Sequence, residues 1–144
     1  MIRIKNKRET YIIIIGCGRL GAYLANSLGE SKENSIVIID KNEQSFERLN
    51  SSFSGFTLEA DATEIEVLKK AKIKEADVVV ATTNHDNTNI MITQIAKALF
   101  DVPKVIARLI DPSREKVYSE LGIDTISPTA LSAIEFKRII EESR

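Results

Sequence analysis

An unbroken apolar run, Tyr11-Ile12-Ile13-Ile14-Ile15, leads straight into Gly16-Cys17-Gly18-Arg19-Leu20-Gly21, and the helical spacing Leu20, Leu24, Leu28 begins inside that turn. A strand without polar alternation is covered on both faces. A strand that passes through GxGxxG into a helix is the opening of a parallel crossover unit. Each glycine has a mechanical part in such a turn. Gly16 permits the tight bend, Gly18 leaves the backbone open to a closely approaching pyrophosphate, and Gly21 lets the helix lie against the strand. The free N–H groups and the positive end of the helix dipole favour an anion there by a few tenths to ~2 kcal/mol.

The rest of the chain repeats the unit. Val- and Ile-rich stretches at 35–39, 55–58, 77–81, 104–110 and 124–127 alternate with helical stretches at 20–28, 44–49, 64–71, 87–100, 115–121 and 130–142. This alternation predicts an α/β fold, a Rossmann-like doubly wound parallel sheet of six strands. Gly29 and Gly122 stand where helices stop, and Pro112 stands where one starts. At 144 residues the chain is one domain in size, able to bury roughly 68–70% of its unfolded surface without a disulfide or metal staple. Its single cysteine fits a reducing compartment. A formal net charge of -1 argues against duplex DNA as partner. The longest apolar run is far short of the ~20 residues of a membrane-spanning helix, and the basic lead-in at residues 1–8 has no apolar stretch of the signal-peptide kind behind it.

The last segment departs from the pattern. At 100° per residue Ala130, Leu131 and Ile134 form one apolar group, and Ala133, Phe136, Ile139 and Ile140 form another. One stripe suffices for a helix that only caps its own sheet, so a second points to another chain and a homodimer; a helix wedged between core elements is the other reading. The expected division is residues 1–128 for the nucleotide-binding unit and 129–144 for a terminal crossover helix.

Asp40 closes the second strand 19 residues beyond Gly21, where a carboxylate accepts from a ribose diol. An acid there disfavours a 2′-phosphate, which sets NADP behind NAD(H), ATP, ADP or AMP, with adjacent Lys41 as the opposing charge. Asp61 and Ala62 end the third strand beside the expected adenine position; Asp61 or Thr63 capping the following helix is the equal alternative. Thr82, Thr83 and Asn84 occupy the loop after the fourth strand, across the switch point, with phosphate, ribose or nicotinamide contacts or ordinary turn and N-cap chemistry open to them. His85 is a lone histidine with no second acid or nucleophile placed near it. Arg19 reaches phosphate, a neighbouring subunit or only solvent. Arg108, at the end of a buried strand, needs a partner or a ligand cleft. Cys17 is expected to face solvent or ligand through its backbone alone.

In this order and spacing the motifs resemble the RCK (KTN) domain of the TrkA N-terminal type, over nearly the whole chain. They are Gly16-Cys17-Gly18-Arg19-Leu20-Gly21, Asp40, Ala60-Asp61-Ala62-Thr63, Ala81 through Asn89, Val102 through Arg108, and Leu121-Gly122-Ile123-Asp124 leading to Ser127-Pro128. The resemblance implies a cytoplasmic regulatory subunit, not an enzyme, that binds NAD(H) or an adenine nucleotide. It further implies dimerisation through the terminal helix, assembly into rings beneath a membrane potassium channel, and gating of potassium transport by a ligand-driven change of shape. By the same resemblance Arg19 contacts phosphates, Asp40 the ribose, Asp61 and Ala62 the adenine, and Thr82, Thr83 and Asn84 the phosphates or the far half of a dinucleotide. Thr129 stands where some ATP-binding members carry a cation-coordinating glutamate, so no metal is expected. The competing readings are a small NAD-dependent oxidoreductase with its site at a subunit interface, and a ligand-free scaffold of the same fold.

Overall fold

A computed structural model describes residues 8–143; the basic lead-in at residues 1–7 and residue 144 lie outside the described residues. Six strands, β1 (Thr10–Ile15), β2 (Asn34–Asp40), β3 (Phe56–Glu59), β4 (Val78–Ala81), β5 (Lys104–Arg108) and β6 (Asp124–Ile126), form one sheet in the order β3-β2-β1-β4-β5-β6. Every ladder is parallel. The connecting helices are α1 (Arg19–Leu28), α2 (Ile65–Lys70), α3 (Asp86–Phe100) and α4 (Glu115–Glu120), with α5 (Pro128–Glu142) after the last strand. The chain works outward from β1 to β3 and then returns to lay β4 on the free side of β1. The order therefore reverses at the carboxyl ends of β1 and β4, the place where such sheets open a crevice.

Side chains alternate across a strand, and the isoleucines of β1 and β2 supply both faces. Ile13, Ile15, Val37 and Ile39 pack with Leu68 of α2 and Ile92 of α3, while Ile12, Ile14, Ile36 and Ile38 pack with Ala22 and Ala25 of α1. Burying each such side chain contributes about 1.5–3 kcal/mol, so these two strands anchor the domain. Two-sided cover stops at the edges, where a strand has one neighbour: Phe56 on β3 and Ile126 on β6 are exposed.

Several elements differ from the sequence reading for local reasons. The stretch at 44–49 is a 3-10 helix, Glu43–Arg48, opened by Asn42 accepting from the Gln44 amide at 3.1 Å. The third strand runs Phe56–Glu59 rather than 55–58, because its register pairs Glu59 with Asp40. The fifth strand stops at Arg108, since the Ile110 and Asp111 amides turn away to the Asp86 carboxylate at 2.6 and 2.9 Å. Pro112 opens a 3-10 turn, Pro112–Arg114, that runs into α4. Gly29 ends α1 at φ -69 without entering the left-handed region, whereas Gly122 after α4 does enter it at φ 74.

The last helix starts two residues before the expected position, at Pro128, with the Ser127 hydroxyl accepting from the Ala130 amide at 3.2 Å. None of its residues is buried, which overturns the wedged-helix reading. Leu131, Ile134, Phe136, Ile139 and Ile140 are 55–69% exposed, so both apolar groups face outward. Among the described residues no helix is long and apolar enough to cross a membrane.

Candidate functional site

The bend after β1 is built by fit. Gly16 sits at φ 100, a conformation side chains resist, and its amide donates to the Ile39 carbonyl at 2.8 Å, tying the turn to β2. A Cβ on Gly21 would lie 1.8 Å from the Gly16 carbonyl oxygen, so α1 lies against β1 only because that position is glycine. A Cβ on Gly18 would meet nothing within 4 Å. The open space that a pyrophosphate needs is therefore at the middle glycine, while the outer two close the fold.

Beside this turn lies a cavity of about 370 Å³ at the carboxyl ends of the strands. Gly16, Gly18, Asp40, Lys41, Asp61, Ala62, Thr82, Thr83 and Asn84 line it, which brings nine of the sequence-chosen residues together, and His85 joins them. Cys17, Arg19, Leu20, Gly21 and Arg108 are not on its wall. Arg19 and Leu20 are exposed at the start of α1, and Gly21 is buried against Gly16.

Asp40 is anchored through both carboxylate oxygens. One accepts from the Cys17 amide at 2.8 Å and the other from the Asn42 amide at 2.8 Å, which fixes the carboxylate at the cavity mouth with its remaining lone pairs free. Cys17 corrects the expectation of a backbone-only residue. Its side chain is fully buried, and its thiol donates to the Ser45 carbonyl at 3.3 Å. Burial first, then the neighbouring Asp40 charge, push the thiol up to about 11 against a smaller opposing pull from Arg48. It is a packed, protonated side chain beneath the turn.

Asp61 caps no helix. Its carboxylate accepts from the Thr63 amide at 2.9 Å and the Thr63 hydroxyl at 2.6 Å, and α2 begins later, after Glu64. Those two hydrogen bonds, with a smaller contribution from Lys41 3.8 Å away, hold the Asp61 carboxyl below the usual carboxylate range. The tight turn so formed presents Asp61 and Ala62 to the cavity.

Thr82 is buried, and its hydroxyl lies 3.0 Å from both the Ile15 and Gly16 carbonyls, so it clamps β4 to the glycine turn. Thr83 belongs to a network centred on Asn89, which sequence reasoning placed in a motif without giving it a role. Asn89 is fully buried; its carbonyl oxygen accepts from the Thr83 amide and hydroxyl at 2.9 and 2.6 Å. Its amide group donates to the Thr83 and Arg108 carbonyls, both at 3.0 Å, so all four of its hydrogen-bonding places are filled and β4, α3 and β5 are joined there. The signal for it was present: Asn89, Ile92, Thr93 and Ala96 form the buried face of α3. Of the turn and N-cap alternative only the turn is present: His85 precedes α3 without a side-chain cap, while the His85 amide donates to the Thr83 hydroxyl at 3.3 Å. Arg108 meets the demand for a partner in part, with Nη1 donating to the Asn84 side-chain carbonyl at 3.1 Å and its buried Nε unpartnered. Ser45 and Arg48 complete the wall on the β2 side, and no sequence pattern marked either. Among the described residues no group of three or more His, Cys, Asp or Glu side chains is placed to hold a metal ion.

The sequence and the fold that carry this site match known proteins. Residues 12–128 match the profile of the TrkA-N domain. This chain belongs to the TrkA-N domain family. A Trk system potassium uptake protein TrkA from Streptomyces coelicolor is 38% identical over 128 residues, covering 89% of this chain and 57% of that protein. The TrkA-N chain thus spans little more than half of that relative's length. A crystal structure of GsuK bound to ADP superposes with a TM-score of 0.79 at 25% identity, over 96% of this chain and 36% of that one. A GsuK channel bound to NAD shares the fold, with a TM-score of 0.71 at 18% identity over 89% and 23% of the two chains.

Proposed function

We propose that this TrkA-N domain is a nucleotide-binding regulatory module of a potassium transport system, taking NAD(H) or an adenine nucleotide (ATP, ADP or AMP) in the crevice beside Gly18. The observation that carries the reading is the pairing of an unobstructed Gly18 with a carboxylate anchored by Cys17 and Asn42. Phosphates lie over the turn at the start of α1, the ribose diol donates to Asp40, and the adenine enters between the Asp61–Ala62 turn and the β2 side. Thr83 and Asn84 border the far half, and Arg108 steadies Asn84 from behind. Arg19, exposed at the head of α1, reaches phosphate oxygens or a neighbouring subunit. The named potassium-uptake relative and the ADP-bound GsuK structure support the assignment.

Residues 129–144 act in this reading as a crossover helix. Its outward Phe136, Ile139 and Ile140 are covered by a second copy, and dimers assemble into a ring beneath a membrane potassium channel or transporter on its cytoplasmic side. A ligand moves such a ring only as far as it binds one conformation better than the other, and a coupling of ~1–3 kcal/mol suffices. The domain acts in this reading as a sensor and not a dehydrogenase, in keeping with the potassium-uptake relative it matches. A thermal-shift titration with NAD, NADH, NADP, ATP, ADP and AMP tests this. A ligand at 100 times its Kd stabilises by about 2.7 kcal/mol. We expect clear shifts with adenine nucleotides lacking a 2′-phosphate; a flat response to the whole panel favours the ligand-free scaffold.

A further inference from the structure

We propose that Arg48 reads the phosphate charge of the ligand and so grades the site's affinity by phosphate number. This assignment rests on the nucleotide reading of the crevice. Arg48 lines the cavity, and its Nη1 donates to the Cys17 carbonyl at 3.4 Å, which rests the guanidinium against the glycine turn one residue before the open Gly18. Its placement is fixed at the backbone. The Asn26 side-chain amide of α1 donates to the Arg48 carbonyl at 3.3 Å, and the Asn26 side-chain carbonyl accepts from the Asn50 amide at 2.9 Å. Phe46 and Leu49 on either side pack into the α1 face of the core. A flexible side chain thus springs from a rigid base beside the site.

The charge itself is unspent. The other cation on the wall, Lys41, lies 3.8 Å from Asp61, whereas Arg48 makes no ion pair among the described residues. Asp40 makes no ion pair with it among the described residues; its two oxygens accept from the Cys17 and Asn42 amides instead. The guanidinium carries five N–H donors in a planar fork that matches phosphate oxygens, and the Cys17 contact uses one Nη1 hydrogen. Asp40 accepts from the Cys17 amide and Arg48 donates to the Cys17 carbonyl, which places the two charges beside the same residue of the turn. A ribose diol facing Asp40 with its 5′-phosphates over Gly18 brings those phosphates to Arg48.

Titration calorimetry of the full chain with adenosine, AMP and ADP, for wild type, Arg48→Gln and Arg48→Lys, tests the assignment. We expect wild-type affinity to rise from adenosine to ADP. Arg48→Gln should weaken ADP about tenfold and leave adenosine unchanged. Arg48→Lys should recover part of the loss, and the melting temperature without ligand should be the same in all three. Equal weakening of adenosine and ADP overturns the proposal by making Arg48 a wall for the base, and undiminished ADP binding by Arg48→Gln overturns it outright. A wild-type chain that binds none of the three overturns the nucleotide reading and this assignment together.

Discussion

Gly18 and Gly21 stand three residues apart in one turn and answer to different constraints. Gly21→Ala forces a Cβ to 1.8 Å from a backbone oxygen, so the helix must lift from the strand. We expect a loss of about 3 kcal/mol or more by chemical denaturation. Gly18→Ala meets open space at φ -77 and should cost less than about 1 kcal/mol of stability, while calorimetry should show ADP affinity falling at least tenfold. The two glycines were legible as a pair; their separate duties follow from where the Gly16 carbonyl points. Cys17 was not legible, because its burial depends on Glu43–Arg48 folding over it to bring the Ser45 carbonyl into reach. Its thiol ionises near 11 in the folded chain and at an ordinary 9.0 when exposed, so the unfolded chain holds fewer protons between those values. The contribution is complete below pH 9 and is lost as pH rises toward 11. Denaturation curves across that window should show stability falling in wild type with a shallower slope in Cys17→Ala, and iodoacetamide at pH 8 should modify Cys17 only on unfolding.

Strands with two neighbours were legible because a residue buried on either face must be apolar, and the buried positions of β1 and β2 are all isoleucine apart from Val37. Short connectors were less so. The segment Glu43–Arg48 has helical composition, but Asn42 and Leu49, both extended, bound it to six residues and leave a 3-10 turn. Between α2 and a 3-10 turn at Ile73–Glu75 the chain passes through Lys72 at φ 59 and ψ 46, the left-handed region, where a side chain costs roughly 1–2 kcal/mol. Nothing in the run Lys69-Lys70-Ala71-Lys72 marks that conformation. Lys72→Gly should relieve it and raise stability by about 1 kcal/mol in equilibrium denaturation, without change in nucleotide affinity, since Lys72 is off the crevice wall.

At the scale of the whole molecule the six-stranded parallel sheet and a crevice at its switch point were implied by the alternation of apolar runs and helices together with the glycine turn, whereas the strand order emerges only from the ladders. The exposure of α5 was implied only as one of two readings, because a two-striped helix looks the same in sequence whether its own sheet or another chain covers it. With Phe136 and Ile140 at 69% and 57% exposure, Phe136→Glu with Ile140→Glu leaves the fold untouched and should yield monomers in sedimentation velocity; a dimer that survives removes α5 from the interface. The central claim is that one crevice, built from the β1 turn, Asp40 and the Asp61 turn, holds a nucleotide. The most direct measurement follows backbone amide resonances of the labelled chain during titration with ADP. The account predicts saturable shifts that are largest at Gly16 to Arg19, Asp40, Lys41 and Asp61 to Thr63. Shifts that never saturate, or that centre elsewhere such as the β3 edge at Phe56–Glu59, would contradict it.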